Sequence, residues 1–140
     1  MDSIVQKLSP LRDGFDILDG QDRLVYLIDL GKKIDLIASA QKIEINKVHA
    51  CTSQTWIHLE NKETVKITVD SESAIVKGLL RVLQIAFNNE EKNNIIDFID
   101  HFAEPIEIFK WLNIGPTISS QRQNGFIGAL LFIKKELTNE

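Results

Sequence analysis

The segment VHACTSQTWI, residues 48–57, contains Cys51, the only cysteine of the 140-residue chain. Small residues flank this cysteine, and the β-branched and aromatic residues from Thr55 onward favour a strand. Residues 47–49 have the composition of another short extended segment. We therefore expect Cys51 on a tight connection between extended pieces, the kind of loop that often carries functional side chains on a rigid scaffold.

Two interpretations of Cys51 are open on this local pattern. A lone cysteine is more often a small buried apolar residue than a reactive group. A reactive thiol needs nearby positive charge or a helix N-terminus, which lowers its pKa. His49 lies two residues before Cys51 and would share its face on an extended strand, where it could favour the thiolate. The alternative for His49 is a solvated polar side chain.

Composition predicts one globular domain over residues 1–140, with 44% hydrophobic residues and a core that needs no disulfide. The net charge of −4 argues against nucleic acid as the main partner. No segment approaches the roughly 18 continuous apolar residues of a membrane span, and the N-terminus lacks a secretory signal. We expect a soluble cytoplasmic protein that binds neither nucleic acid nor a membrane.

The first half of the chain predicts helices followed by a small sheet. Ser9 and Pro10 mark the start of a helix that ends near Leu18. A second helix covers residues 23–31 and ends at Gly31, whereas residues 32–47 are mostly loop. Strands at 55–60 and 64–69 form a hairpin. With the segment before Cys51, they make an antiparallel sheet of about three strands.

The second half predicts four helices and an α+β fold. These helices cover residues 72–87, 90–99, 105–112 and 119–137, with Asp70-Ser71 capping the first of them and a loop over 113–117 before the last. In the last helix Ile127, Leu130, Leu131 and Ile133 are expected to face inward. The order of elements favours helices packed on one face of the sheet.

Arg122 is a further candidate site residue. It lies in the first turn of the last predicted helix, where a basic residue opposes the helix dipole. This position suggests an anionic partner, either a carboxylate or a thiolate, although a plain surface arginine explains it equally well.

Metal and nucleotide chemistry have no support in the sequence. One cysteine and three scattered histidines lack the ligand spacing of zinc sites, and glycine-rich phosphate-binding patterns are absent. We expect no metal and no bound cofactor. A cysteine hydrolase stays open in principle, because its cysteine and histidine need only meet in space.

Four segments in the same order resemble the SufE family: RLVYLIDLG (23–31), VHACTSQTW (48–56), DSESAIVKGL (70–79) and SQRQNG (120–125). The likeness runs from about residue 11 to about residue 137. It implies the SufE/IscU-like α+β fold, with Cys51 as the sulfur-accepting cysteine and Arg122 as the arginine of the S-R-x-N/Q-G motif. The chain departs from the family pattern at Ala50, where glycine is usual, and at Thr52, Thr55 and Gln121.

The resemblance also implies a function in iron–sulfur cluster assembly. Cys51 would take persulfide sulfur from a pyridoxal-phosphate cysteine desulfurase of the SufS or CsdA type, stimulate that enzyme, and pass the sulfur to a downstream scaffold. The pyridoxal phosphate belongs to the partner, and the chain itself is not an enzyme. We expect Cys51 to tuck toward apolar residues in the free protein and to swing out on docking.

Three other classes make different demands on Cys51. A cluster scaffold of the IscU type needs about three cysteine-like ligands, and the single thiol argues against it. A cysteine hydrolase needs a histidine within hydrogen-bond reach of Cys51. A non-catalytic binding module would tolerate Cys51→Ser without loss.

Overall fold

The computed structural model describes residues 2–115 and 118–139. Over these residues it contains six α-helices and one antiparallel pair of strands, which confirms the α+β prediction. The elements are α1 (Asp2–Ile17), α2 (Gly20–Gly31), β1 (Thr55–Asn61), β2 (Val65–Ser71), α3 (Ala74–Phe87), α4 (Lys92–His101), α5 (Ile106–Trp111) and α6 (Ser120–Thr138). Part of the loop predicted at 113–117 lies outside the described residues.

The sheet is smaller than the prediction of about three strands. β1 and β2 form a hairpin whose register runs from Thr55 opposite Ser71 to Asn61 opposite Val65. The segment before Cys51 contributes only an isolated bridge between Lys47 and Trp56. The predicted third strand is therefore wrong, because the chain turns immediately after Val48 and leaves no length for a ladder.

The helices pack on the sheet through β2 and α3. Val65, Ile67 and Val69 alternate along β2 and are all buried. They belong to the same core cluster as the buried residues of α3, among them Leu79 and Leu83. The alternating apolar side chains of β2 and the apolar face of α3 thus pack into one buried layer.

The first four helices start at other residues than predicted: α2 begins three residues earlier, at Gly20, α4 begins two residues later, at Lys92, and α1 and α3 differ for identifiable reasons. α1 begins at Asp2 and contains Pro10, because Ile4 and Leu8 are fully or almost fully buried and hold the first turns on the core. Ser9 does not cap this helix; its hydroxyl donates to the carbonyl of Val5 at 2.8 Å. α3 begins after Ser73, whose hydroxyl accepts from the Val76 N–H.

Close packing explains Gly31 of α2 and Gly78 of α3. A Cβ on Gly31 would lie 2.7 Å from the Gly78 backbone nitrogen, and a Cβ on Gly78 would lie 2.1 Å from the Leu27 carbonyl oxygen. Gly31 is the last residue of α2 and lies in contact with α3. Gly31 allows the backbones of α2 and α3 to approach closely, whereas the sequence predicted it only as the end of a helix.

α6 is the long C-terminal helix that supports the functional region. Its inner face is buried at five positions with 2% exposure or less, namely Phe126, Ala129, Leu130, Ile133 and Leu137. The inward prediction holds for Leu130 and Ile133 but is wrong for Leu131, which is 48% exposed. Among the helices that the structure describes, none has the length and apolar character to cross a bilayer.

Candidate functional site

Cys51 lies in a short loop that is fixed at both ends. We call residues 49–54 the Cys51 loop. The buried Val48 precedes it and donates its N–H to the Thr55 carbonyl at 2.8 Å, closing the base of the loop. Thr55 is fully buried, and its hydroxyl shares a 2.9 Å hydrogen bond with that of Ser71. Four of the six side chains between these anchors are exposed, namely His49, Ala50, Thr52 and Gln54.

The sulfur of Cys51 is half-buried at the edge of the hydrophobic core. It faces α6, because a Cβ built on Gly125 would lie 3.0 Å from Cys51 Sγ. The tucked position that we expected for the free protein is the one observed. The outward swing of Cys51 on docking stays a prediction.

Burial raises the pKa of the Cys51 thiol above its ordinary value, and a hydrogen bond with the Thr55 side chain acts in the opposite direction. Thr55 has a single hydroxyl proton, which it can also donate to the Ser53 carbonyl at 3.0 Å. If the Thr55 hydroxyl donates to the Cys51 thiolate, it cannot donate to the Ser53 carbonyl at the same time. In the tucked position burial therefore favours the protonated thiol, which is a poorer nucleophile than the thiolate.

The alanine at position 50 fits its place without backbone strain. The Cys51 N–H donates to the Val48 carbonyl at 3.3 Å, so residues 48–51 form a turn with His49 and Ala50 at its centre. Among the described non-glycine residues, positive φ angles occur only at Asn89 and Asn113. Ala50 therefore does not need the freedom of glycine here.

Arg122 lies in the first turn of α6, next to the turn that faces Cys51. Its N–H donates to the hydroxyl of the cap residue Ser119, and its side chain is exposed. Residues three apart on a helix share a face, so Arg122 and Gly125 lie on the same side of α6. Within residues 2–115 and 118–139 the guanidinium makes no ion pair.

His49 is engaged away from the sulfur. Its Nε2 lies 2.9 Å from Glu44 Oε1, and both side chains are mostly exposed. Of the two alternatives for His49, the shared face with Cys51 required an extended strand, and residues 48–51 form a turn instead. No described histidine is hydrogen-bonded to Cys51, and no group of three potential metal ligands occurs in the described part of the chain.

The structure adds Gly125 and Gly128 to the site, which sequence reasoning missed. A Cβ on Gly128 would lie 2.3 Å from the Cβ of Ala50. The available signal was a pair of glycines three residues apart inside a helix. Each costs about 1 kcal/mol of helix stability relative to alanine, which usually indicates a packing or functional reason.

Comparisons with known proteins agree on one family. Residues 9–137 match the SufE family, described as an Fe–S metabolism associated domain. An uncharacterized SufE-like protein of Rhizobium etli is 30% identical over 135 residues, covering 92% of this chain and 88% of that protein. The cysteine desulfuration protein SufE of Wigglesworthia glossinidia brevipalpis is 25% identical over 137 residues, covering 96% and 92% of the two chains.

A solved structure shows the same fold at lower identity. The solution structure of a hypothetical protein from Thermus thermophilus superposes with a TM-score of 0.68 at 18% identity, covering 95% of this chain and 94% of that one. With the fold, the order of the four segments and the match over residues 9–137 in agreement, this chain belongs to the SufE family of proteins associated with iron–sulfur metabolism.

Proposed function

We propose that this protein is a sulfur acceptor that takes persulfide sulfur from a cysteine desulfurase onto Cys51 and passes it on for iron–sulfur cluster assembly. The observation that carries the proposal is the placement of the only thiol. Cys51 lies half-buried in a surface loop between two buried anchors and faces Gly125, one helical turn from the exposed Arg122. Family membership supports the same assignment.

The transfer step is an exchange between sulfur atoms. The Cys51 thiolate attacks the outer sulfur of the desulfurase persulfide, a new S–S bond forms at Cys51, and the S–S bond on the desulfurase breaks. The desulfurase cysteine departs as a thiolate, so charge and electrons balance and no external oxidant or reductant is required. A persulfide on Cys51 is a reversible modification that a later acceptor can remove.

The lone thiol suits a carrier. A second thiol near Cys51 could attack its persulfide and release sulfide, and the chain has no other cysteine. Pyridoxal phosphate would act in the partner, where it generates the persulfide from free cysteine. Removal of that persulfide by Cys51 frees the desulfurase for another turnover, which is how this chain would stimulate its partner without being an enzyme.

Arg122 and His49 have supporting roles in this proposal. The Arg122 guanidinium has no anionic partner among the described residues and would contact the anionic sulfur or a carboxylate of the desulfurase during transfer. His49 borders Cys51 in the turn and would lose its Glu44 contact if the loop moved outward, leaving it available to the thiolate.

A turnover assay tests the proposal. A cysteine desulfurase with excess cysteine is expected to release alanine faster when this protein is added. Cys51→Ser, which changes one atom of the side chain, is expected to abolish the increase while leaving the fold intact. Equal stimulation by Cys51→Ser and the natural chain would remove the carrier role and leave a binding module.

A further inference from the structure

The Cys51 loop rests on two glycines of α6. The missing side chain of Gly125 leaves space for Cys51 Sγ, which would lie 3.0 Å from a Cβ at that position. The missing side chain of Gly128 leaves space for Ala50, whose Cβ would lie 2.3 Å from the added atom. We call this pair of glycines the loop seat. Each glycine contacts a different one of two consecutive loop residues.

The helix is the rigid side of this contact. α6 is fixed to the core by side chains such as Phe126, Ala129 and Ile133, which are 2% exposed or less. Ala50 is exposed and, with Gly128, borders an open groove of about 380 Å³. A side chain added at the seat therefore displaces the loop toward solvent, because moving the helix would disrupt the core.

We propose that Gly125 and Gly128 are positioning residues that hold the Cys51 loop in its tucked position, and that side-chain size at these two helix positions sets how far the thiol is exposed. This inference rests on the proposed function only in that the thiol is the sulfur acceptor. Ala50 is the loop residue that fits this seat, because its methyl group occupies the space left by the missing side chain of Gly128.

The two glycines make different predictions. A Cβ on Gly128 would collide with the Cβ of Ala50, which is bonded directly to the backbone and moves only when the loop moves. A Cβ on Gly125 meets the end of a side chain, which can rotate away on its own. Gly128→Ala is therefore expected to open the loop, whereas Gly125→Ala displaces the sulfur with less movement of the backbone.

The matched control is the compensating double variant. Ala50→Gly removes the atom that collides with an alanine at position 128. The double variant Ala50→Gly/Gly128→Ala keeps the alanine in the helix, together with its gain in helix propensity, and removes the collision, while Ala50→Gly alone measures the effect of the added backbone freedom. Agreement between this double variant and the natural chain would assign any effect of Gly128→Ala to the contact itself.

The experiment is the rate of Cys51 alkylation by iodoacetamide as a function of pH. Cys51 is the only thiol, so the signal reports one site. Gly128→Ala is expected to react about tenfold faster at neutral pH, with an apparent pKa closer to that of the unfolded chain. The double variant is expected to regain the natural rate and pH profile. Circular dichroism and thermal unfolding check that each variant is folded.

An unchanged or slower rate for folded Gly128→Ala, or no recovery in the double variant, would overturn the proposal. If Gly128→Ala does not fold, Gly125→Ala decides: faster alkylation supports the seat, and an unchanged rate overturns it. No desulfurase enters this assay. A negative result in this assay therefore counts against the role of the two glycines only. The sulfur-acceptor role is tested separately by the desulfurase assays.

Discussion

The sulfur of Cys51 lies against Gly125 on α6, 3.0 Å from the place where a side chain at that position would begin. A glycine here allows the thiol to reach the helix surface and become half-buried. The same face of α6 carries Arg122 one turn earlier. One helix therefore covers part of the sulfur and carries an exposed arginine on the same face, one turn away.

Arg122→Ala is expected to slow sulfur transfer to Cys51 about tenfold and to leave the free energy of unfolding unchanged. A hydrogen bond between charged groups contributes about 1.5–3 kcal/mol, and 1.4 kcal/mol corresponds to a factor of ten. Single-turnover transfer from a persulfidated desulfurase measures the rate. Gln121→Ala, an exposed neighbour in the same turn, is the control. Unchanged transfer kinetics in Arg122→Ala would reduce Arg122 to a surface residue.

The Cys51 thiol is expected to contribute to the free energy of unfolding at neutral pH, and this contribution should decrease at alkaline pH. Burial raises its pKa in the folded state, so the unfolded chain loses the thiol proton first. The contribution is fully present below the pKa of the unfolded thiol and is lost as pH rises through the higher pKa of the folded one. Urea unfolding from neutral to alkaline pH, compared between the natural chain and Cys51→Ala, isolates it.

The comparison with Cys51→Ala is needed because Tyr26 also has a pKa raised by burial and titrates in alkaline solution. Its contribution is the same in both chains and cancels in the difference. A difference that stays constant with pH would show that the folded chain does not perturb the thiol.

The hairpin and most helices were predictable because their patterns are strong. Alternation along residues 64–69 and helical periodicity in α3 each match a single kind of element. The α1 start was missed because Ser9-Pro10 is a typical helix start, and the burial of Ile4 outweighs the backbone hydrogen bond that Pro10 removes. Such a balance between tertiary packing and local preference is not visible in the local sequence.

The site was only partly predictable for a related reason. A single cysteine between small residues indicated an accessible loop, and the resemblance to SufE selected Cys51 and Arg122. The seat formed by Gly125 and Gly128 requires two segments about 75 residues apart to meet, which no local pattern encodes. A shared face of His49 and Cys51 was one of two alternatives and depended on an extended strand, whereas residues 48–51 form a turn.

Glu90 anchors the first helix to the hairpin and is expected to contribute to acid-dependent stability. Burial alone would raise its pKa, but hydrogen bonds from Lys7 and Ser3, both at 2.6 Å, and the charge of Lys7 hold that pKa below its ordinary value. Its stabilisation is present above the ordinary glutamate pKa and is lost as pH falls through the lowered one.

Glu90→Gln is therefore expected to lower the free energy of unfolding by about 2 kcal/mol at neutral pH, since hydrogen bonds to charged groups are worth about 1.5–3 kcal/mol. The loss should shrink in acid. Urea denaturation measures both, and Glu91→Gln at the exposed neighbouring position is the control. Equal effects of Glu90→Gln and Glu91→Gln would contradict the anchoring role.

Gly78→Ala is expected to destabilise the protein by about 1–3 kcal/mol or more, even though alanine favours helices by about 1 kcal/mol. The added Cβ would lie 2.1 Å from the Leu27 carbonyl oxygen, a backbone atom that cannot rotate away. Chemical denaturation measures the change. A stabilised Gly78→Ala would mean that α2 and α3 are not in close contact.

In the proposed function one sulfur atom moves from a desulfurase to Cys51. The direct test is the intact mass of this protein after incubation with a cysteine desulfurase, pyridoxal phosphate and free cysteine, followed by peptide mapping under non-reducing conditions. We expect a mass gain of one sulfur atom that maps to Cys51 and is absent when Cys51→Ser or an inactive desulfurase is used. A chain that gains no sulfur, or gains it without Cys51, would contradict the proposed function.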